Sequence, residues 1–223
     1  MRGLFVTGTG TGVGKSVVAA AICAALSSRG ERVGAFKPVL TGLEEEPGTF
    51  GRDHELLAEA CGRAQSPEEV APYRYGPPVS PHYAAELAGE VVDAARLVEH
   101  ARGLGRRFDA LVAEGVGGLL VPLTPGFLVR DLARELSLPV VIAASPGLGT
   151  INHTLLTVEA ARAVGLNVRG VVMTPWPDAP AGIELSNRAT VERLGGVMVS
   201  GLARTGRRSL AEAGAGLPLD DWL

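Results

Sequence analysis

Short apolar segments alternate along the chain with longer segments of helical periodicity. The apolar segments are predicted to be strands, at residues 3–7, 32–39, 108–115, 139–145 and 168–174, with a further one at 197–201. The segments between them are predicted to be helices, at residues 15–28, 53–60, 80–88, 93–101, 128–136, 150–164 and 183–194. Strands that alternate with helices form parallel βαβ units, so we expect an α/β fold with a mostly parallel sheet and helices on both faces.

The predicted strands are apolar at consecutive positions, for example at residues 111–113 and 140–142. Such strands are typical of a sheet that is covered on both faces. A chain of 223 residues suits one domain, so residues 1–223 are interpreted as a single unit. Residues 44–50 are predicted to be a loop, and the Gly/Ala-rich tail after Gly206 carries no pattern that predicts a structure.

Composition argues against several classes of function. The chain has 21 Lys and Arg, 24 Asp and Glu, a net charge of −3 and 4% aromatic residues, so we do not expect nucleic-acid binding. The longest apolar run, residues 17–26, is too short to span a bilayer, and the first predicted strand leaves no room for a signal peptide. We therefore expect no membrane association and a cytoplasmic location. Cys23 and Cys61 have no metal-binding spacing and are predicted to be buried thiols.

The strongest motif is a glycine-rich segment between the first predicted strand and the first predicted helix. Its residues are Gly8, Thr9, Gly10, Thr11, Gly12, Val13, Gly14, Lys15 and Ser16. Free N–H groups and the dipole at a helix N-terminus favour a polyphosphate, Lys15 can reach the terminal phosphates, and the Ser16 hydroxyl can bind Mg²⁺. The first glycine lies one residue earlier than in the standard pattern. The segment is therefore predicted to be a lengthened phosphate loop (P-loop) that binds ATP and Mg²⁺.

The glycine-rich segment has two alternative interpretations. The first is a glycine-rich turn that binds no ligand. The second is a dinucleotide site, but Val13 stands where that pattern has its third glycine, Glu31 lies in a turn rather than at a strand end, and Lys15 would have no role.

Five segments, in the same order along the chain, resemble those of the dethiobiotin synthetases, a family of the P-loop superfamily. They are GTGTGVGKS at 8–16, FKPVLTG at 36–42, VSPH at 79–82, VAEGVGG at 112–118 and LGTINHT at 148–154. The resemblance implies an ATP- and Mg²⁺-dependent ligase of biotin biosynthesis. Its substrates would be 7,8-diaminopelargonate and CO₂, and the ring would close through a carbamate and a carbamic–phosphoric anhydride. The resemblance also implies a homodimer.

The resemblance assigns roles that suit the chemistry of these side chains. Lys37 and Lys15 are the predicted catalytic residues, because an ammonium at a strand end can hold a carbamate and offset charge during phosphoryl transfer. Glu114, Asp53 and Ser16 are the predicted Mg²⁺ ligands. The alternatives are a surface lysine for Lys37, a solvated or helix-capping carboxylate for Glu114, and a helix N-cap for Asp53.

The remaining predicted substrate contacts lie in three segments. They are Thr41; Gly117 and Gly118; and Gly149, Thr150, Ile151 and Asn152. In the family the last segment serves the site of the neighbouring subunit, and its N–H groups at a helix start could bind the distal carboxylate of the substrate. His153 could be a general base, but a structural hydrogen bond at a helix start is favoured.

Two residues after the fifth strand, Thr174 and Pro175, are predicted to contact the nucleotide base. Many family members have an adenine-reading Asn in place of Thr174, and many have an acidic residue in place of Gly12. A threonine hydroxyl does not present the paired donor and acceptor of an amide. We therefore predict weak discrimination between ATP and other nucleoside triphosphates.

Other P-loop proteins are the competing interpretations. Regulatory ATPases of the partitioning type carry an additional lysine early in the loop, where residues 9–13 have none, and often a membrane tail, for which residues 218–223 are too short and acidic. An amidoligase acting on corrin precursors would usually need a glutaminase domain, for which the chain has no room. A small-molecule kinase fits the composition but leaves the segments at 37–39 and 148–153 without a role.

Overall fold

The computed structural model describes all 223 residues and confirms the predicted alternation of strands and helices. The elements are β1 (Gly3–Gly8), α1 (Lys15–Ser28), β2 (Val33–Phe36), β3 (Val39–Leu40), α2 (Asp53–Ala60), α3 (Pro67–Val70), β4 (Tyr73–Arg74), α4 (Pro81–Leu87), α5 (Ala94–Arg107), β5 (Ala110–Glu114), β6 (Pro122–Thr124), β7 (Phe127–Leu128), α6 (Val129–Leu136), β8 (Val140–Ala144), α7 (Thr150–Arg162), β9 (Val168–Trp176), α8 (Gly182–Gly195), β10 (Val199–Ala203), α9 (Leu210–Ala215) and α10 (Leu219–Trp222).

Six strands form one parallel sheet in the order β10-β9-β8-β1-β5-β2. In its register Phe5 of β1 lies opposite Ala113 of β5 and Val140 of β8. Side chains from successive residues of the central strands enter two apolar cores, one under α1, α2, α9 and α10 and the other under α4 to α8. The fold class predicted from the sequence is therefore confirmed, since consecutive apolar residues need a covered sheet on both sides.

The predicted second strand, at residues 32–39, was too long. The sheet strand β2 ends at Phe36, and β3 pairs instead with β4 outside the six-stranded sheet. Pro38 has no N–H to donate, and the N–H of Lys37 turns to the carbonyl of Val70. The chain leaves the sheet at Lys37, which sets this side chain at the carboxyl edge of the strands.

Two predictions about helices also need correction. The helix predicted to end at residue 101 continues to Arg107, because its buried stripe extends through Ala101 to Leu104 despite two glycines. The tail after Gly206 has no sequence pattern that predicts a structure, but it forms α9 and α10. A side chain at Gly214 of α9 would lie 2.0 Å from the carbonyl oxygen of Ala21, so α9 packs directly on the backbone of α1.

Both cysteines are buried, as predicted, and are free thiols in the core beneath α1 and α2. Burial raises the pKa of the Cys23 thiol well above its ordinary value. None of the helices is both long and apolar enough to cross a membrane.

Candidate active site

A cavity of about 800 Å³ lies at the carboxyl edge of the parallel sheet. The phosphate loop, the segment from Lys37 to Asp53, the turn at 78–81 and the end of β5 enclose it. The predicted site residues that line it are Thr11, Gly12, Gly14, Lys15, Ser16, Lys37, Thr41, Asp53, Glu114 and Gly117. The fold thus brings together residues that are up to about a hundred positions apart in the sequence, at the edge where α/β sheets bind ligands.

The phosphate loop is shaped by glycine conformations and by its own lysine. Gly12 and Gly14 have φ of 76° and 89°, angles that favour glycine over other residues. The ammonium of Lys15 donates a hydrogen bond to the carbonyl of Gly10 at 2.8 Å, so the side chain folds back over the loop. Burial lowers the pKa of Lys15, and the nearby Glu114 carboxylate partly offsets this effect. The lysine is therefore held over the loop, where a polyphosphate would bind.

Glu114, the last residue of β5, is the centre of a buried charged cluster. Its side chain is fully buried, and Oε1 accepts hydrogen bonds from the Lys37 ammonium at 2.9 Å and from the Ser16 hydroxyl at 2.8 Å. Lys37 also donates to the carboxylate of Asp53 at the start of α2. The cluster therefore joins the ends of β5 and β2 to the first turns of α1 and α2.

Burial and pairing act in opposite directions on the ionisation of this cluster. Burial raises the pKa of Glu114, and the attraction of Lys37 only partly counteracts it. Burial disfavours the charge of Lys37, but Glu114 and Asp53 outweigh it and raise its pKa. Burial likewise opposes ionisation of Asp53, yet Lys37 keeps the pKa of that carboxyl below its ordinary value. At neutral pH Lys37 is charged and lies between two acidic groups.

The oxygen donors of the cluster fit a Mg²⁺ ion. Oε2 of Glu114 is buried and has no hydrogen-bond partner, although a buried carboxylate oxygen normally has one. The Ser16 hydroxyl contacts Oε1 of Glu114. The Lys37 ammonium lies between the carboxylates of Glu114 and Asp53. Mg²⁺ prefers oxygen ligands and is usually bound by one or two carboxylates together with water and phosphate oxygens. Ser16, Asp53 and Glu114 match this donor set.

The structure contradicts the alternative interpretations of Lys37, Glu114 and Asp53. Lys37 is 4% exposed and is not a surface lysine, and Glu114 is neither solvated nor at a helix N-terminus. The N-cap of α2 is Arg52, not Asp53. The guanidinium of Arg52 donates to the carbonyls of Gly42 and Leu43, and the carboxylate of Asp53 accepts from Lys37 in the charged cluster.

The glycine turn after β5 packs against the phosphate loop. A side chain at Gly117 would lie 3.6 Å from Oγ1 of Thr11, and one at Gly118 would lie 3.7 Å from the carbonyl oxygen of Gly8. Gly117 has φ of 59° and lines the cavity, whereas Gly118 does not line it. The tightest contact of a side chain at Gly117 would be with Cγ2 of Val121, at 2.9 Å, so a larger residue there would displace Val121 in the cavity wall.

Several predicted site residues do not line this cavity. They are Gly10 and Val13 of the loop, Gly118, the segment Gly149, Thr150, Ile151 and Asn152, and the pair Thr174 and Pro175. Gly149 is the N-cap of α7, so the segment begins a helix as predicted. His153 is exposed and also lies outside the cavity, which disfavours a general base there.

Sequence reasoning missed most of the apolar wall of the cavity. Leu40, Phe50, Val79, Val116 and Val121 all line it. Their types do not distinguish a ligand-facing side chain from a core side chain. The VSPH segment at 79–82 was a usable signal, because Ser80 lines the cavity and its hydroxyl lies 3.1 Å from Nδ1 of His82.

Known proteins resemble this chain in sequence along most of its length. A family model described as an AAA domain matches residues 2–203. The chain is 47% identical over 196 residues to the ATP-dependent dethiobiotin synthetase BioD of Anaeromyxobacter dehalogenans (strain 2CP-1), covering 87% of this chain and 86% of the relative. It is 36% identical over 202 residues to the protein of the same name from Bacillus subtilis (strain 168), covering 91% and 87%.

Among solved structures, the cell division ATPase MinD of Pyrococcus furiosus has a TM-score of 0.56 to this chain. The match covers 97% of this chain and 90% of that one at 18% identity. A likeness at that level of identity shows the fold alone.

Proposed function

The chain belongs to the family of ATP-dependent dethiobiotin synthetases, and we propose that it forms dethiobiotin from 7,8-diaminopelargonate, CO₂ and ATP with release of ADP and phosphate. The observation that carries this proposal is the buried cluster of Lys37, Glu114, Asp53 and Ser16 beside the phosphate-loop lysine in one cavity. Such a site provides cations for two anions, a carbamate and a triphosphate.

The reaction has three steps. One amine of the substrate adds to CO₂ and loses a proton, which gives a carbamate. A carbamate oxygen then attacks the terminal phosphorus of ATP, and ADP leaves. Finally the second amine attacks the carbonyl carbon of the mixed anhydride, phosphate leaves, a proton is lost to solvent or phosphate, and the cyclic urea is closed.

The residues of this chain supply binding and charge for these steps. The ammonium of Lys37 lies where it can pair with the carbamate oxygens, and that of Lys15 is held over the phosphate loop. Ammonium groups stabilise the negative charge that develops during phosphoryl transfer. Bound Mg²⁺ would supply further charge neutralisation at the phosphates, and Ser16, Asp53 and Glu114 would hold it.

The apolar wall supports an aliphatic substrate. Leu40, Phe50, Val79, Val116 and Val121 line the same cavity as the charged cluster. A cavity of about 800 Å³ is within the usual size of small-molecule sites. The hydrocarbon chain of diaminopelargonate would lie against these side chains, with its two amines at Lys37.

The proposal includes a homodimer. Gly149 to Asn152 lie at the start of α7 and do not line the cavity of their own subunit. Exposed apolar side chains lie close to them in the sequence, namely Leu148 in the preceding loop (95% exposed) and Leu156 in α7. Exposed apolar groups of this kind suit an interface between copies of the chain. In such a dimer the segment would contribute its N–H groups and the exposed side-chain amide of Asn152 to the partner's cavity. A cytoplasmic location and the lack of nucleic-acid and membrane partners remain predictions of the proposal.

The reaction is tested by incubating the protein with diaminopelargonate, ¹³C-bicarbonate, Mg²⁺ and ATP, followed by mass analysis for labelled dethiobiotin. We expect labelled product from the wild type and its loss in Lys37→Ala and Lys15→Ala. Nucleotide binding without product would overturn the substrate assignment and leave the fold assignment intact.

The shared site is tested by subunit complementation. Lys37→Ala and Asn152→Ala proteins are each expected to have low activity, and an equimolar mixture after subunit exchange should regain about a quarter of wild-type activity. Half of the dimers would then be mixed, and each mixed dimer would contain one intact site. No recovery in a protein that is dimeric by light scattering would exclude sharing.

A further inference from the structure

The backbone at Gly14 determines where the two phosphate-binding side chains of the loop point. Gly14 has left-handed angles, φ 89° and ψ 18°, and is the N-cap of α1. Because glycine has no side chain, no side-chain hydrogen bond fixes this cap. Lys15 and Ser16 follow it directly. A small rotation at Gly14 would therefore move the Lys15 ammonium and the Ser16 hydroxyl together.

A threonine from a distant strand packs against this glycine. A Cβ built on Gly14 would lie 2.5 Å from Cγ2 of Thr174 but 3.9 Å from its Oγ1. The methyl group of Thr174, rather than its hydroxyl, therefore occupies the space next to Gly14. Thr174 is 4% exposed and does not line the cavity.

Thr174 follows a buried, paired stretch of β9. The preceding residues of β9, Val172 and Met173, are buried and pair with Ala143 and Ala144 of β8. The phosphate loop also contacts β8, because the N–H of Thr9 donates to the carbonyl of Ala143 at 3.0 Å. A β-branched side chain also has few rotamers. The loop and Thr174 thus share β8 as a common support.

We propose that Thr174 is a positioning residue whose methyl group holds Gly14, and through it Lys15 and Ser16, in the geometry that binds a triphosphate. This role differs from contact with the nucleotide base, for which the hydroxyl would have to face the ligand. The inference rests on the proposed function only in requiring that the loop binds a triphosphate.

Two variants separate the methyl group from the hydroxyl. Thr174→Val keeps the methyl and loses the hydroxyl, whereas Thr174→Ser keeps the hydroxyl and loses the methyl. Their affinities for Mg²⁺-ATP and for Mg²⁺-tripolyphosphate, which has no base, are measured by calorimetry. We expect Thr174→Ser to bind both ligands about five-fold more weakly, the effect of losing one buried methyl contact, and Thr174→Val to remain within about two-fold of wild type.

Kinetics provide a readout that a general loss of stability would not give. In Thr174→Ser the KM for ATP should rise while the KM for diaminopelargonate stays unchanged, and unfolding curves should show that all three proteins are folded at the assay temperature. The proposal is overturned if Thr174→Val weakens ATP but not tripolyphosphate, which would indicate base contact. It is also overturned if both variants behave alike, or if the wild type does not bind tripolyphosphate.

The two proposals fail in different ways. If the protein makes no dethiobiotin but Thr174→Ser binds tripolyphosphate more weakly, the proposed function is refuted and the role of Thr174 stands. Dethiobiotin formation with an unchanged KM for ATP in Thr174→Ser would support the proposed function and refute the role of Thr174.

Discussion

Replacing Lys37 with Met should destabilise the metal-free protein by an amount that depends on pH. The substitution keeps the length of the side chain but removes the ammonium that Glu114 and Asp53 share. Glu114 is fully buried, so its carboxylate would be left without a compensating charge. Breaking a buried ion pair by removing one partner typically costs about 3–5 kcal/mol.

The cost has an upper limit because Glu114 can take up a proton. Protonating a carboxyl whose ordinary pKa is 4.5 costs about 4 kcal/mol at pH 7.5 but only about 1.4 kcal/mol at pH 5.5, at 1.36 kcal/mol per unit. In the variant the folded state holds this proton and the unfolded state does not. Between those pH values the folded protein therefore binds more protons, and its stability falls as pH rises.

Urea unfolding in EDTA at pH 5.5 and 7.5 measures this effect as the difference between variant and wild type. We expect a loss of about 1–1.5 kcal/mol at the lower pH and about 3–4 kcal/mol at the higher one. The double variant Lys37→Met/Glu114→Gln is the matched control, because it has no buried carboxylate at position 114 that lacks a cation. It should regain most of the lost free energy of unfolding at pH 7.5. Equal losses at both pH values, or a double variant as unstable as the single one, would refute the reasoning.

Mg²⁺ gives an independent test of the same electrostatics. A divalent cation bound at Glu114 and Asp53 would replace the missing ammonium. Millimolar Mg²⁺ without nucleotide should therefore raise the unfolding midpoint of Lys37→Met more than that of the wild type, whose own lysine lies between the carboxylates. An equal response of the two proteins would mean that Lys37 and Mg²⁺ do not compete for this position.

Three further predictions concern the metal, the nucleotide base and the tail. Ser16→Ala should increase the Mg²⁺ concentration needed for half-maximal activity by about 10-fold or more, measured by Mg²⁺ titration of product formation at saturating ATP; an unchanged curve would remove Ser16 from the metal site. The kcat/KM values for ATP, CTP and GTP should agree within about 10-fold, because Thr174 offers no amide to adenine, and a strong preference for ATP would contradict this. Gly214→Ala should lower the free energy of unfolding by about 1–3 kcal/mol, since its Cβ would lie 2.0 Å from the Ala21 carbonyl, whereas Gly216→Ala, whose nearest contact is 3.5 Å, should have little effect in the same urea experiment.

Local residue types were sufficient to predict the polar half of the site. Lys15 and Ser16 follow a glycine-rich loop after an apolar strand, and Glu114 ends an apolar strand just before a glycine-rich turn; both patterns can be recognised in the sequence. The early end of β2 could also have been predicted, because Pro38 cannot donate to a sheet ladder.

Packing between distant segments explains what the sequence did not predict. The helix α9 depends on a close backbone approach at Gly214, which looks like any other glycine in a Gly/Ala-rich tail. The apolar wall of the cavity has the same residue types as the core. The contact between Thr174 and Gly14 depends on how the loop crosses β8, because β9 is not a neighbour of β1 in the sheet.

Strand order accounts for the central place of Glu114. Because β5 lies between β1 and β2, its last residue is next to the end of β1 on one side and the end of β2 on the other. The register pairs Glu114 with Val6 and Ala113 with Phe36, so the residue after Phe36 emerges beside Glu114. One carboxylate oxygen can then accept from both the helix that follows β1 and the lysine that follows β2. A sheet with β1 next to β2 would separate these donors, even with every motif unchanged.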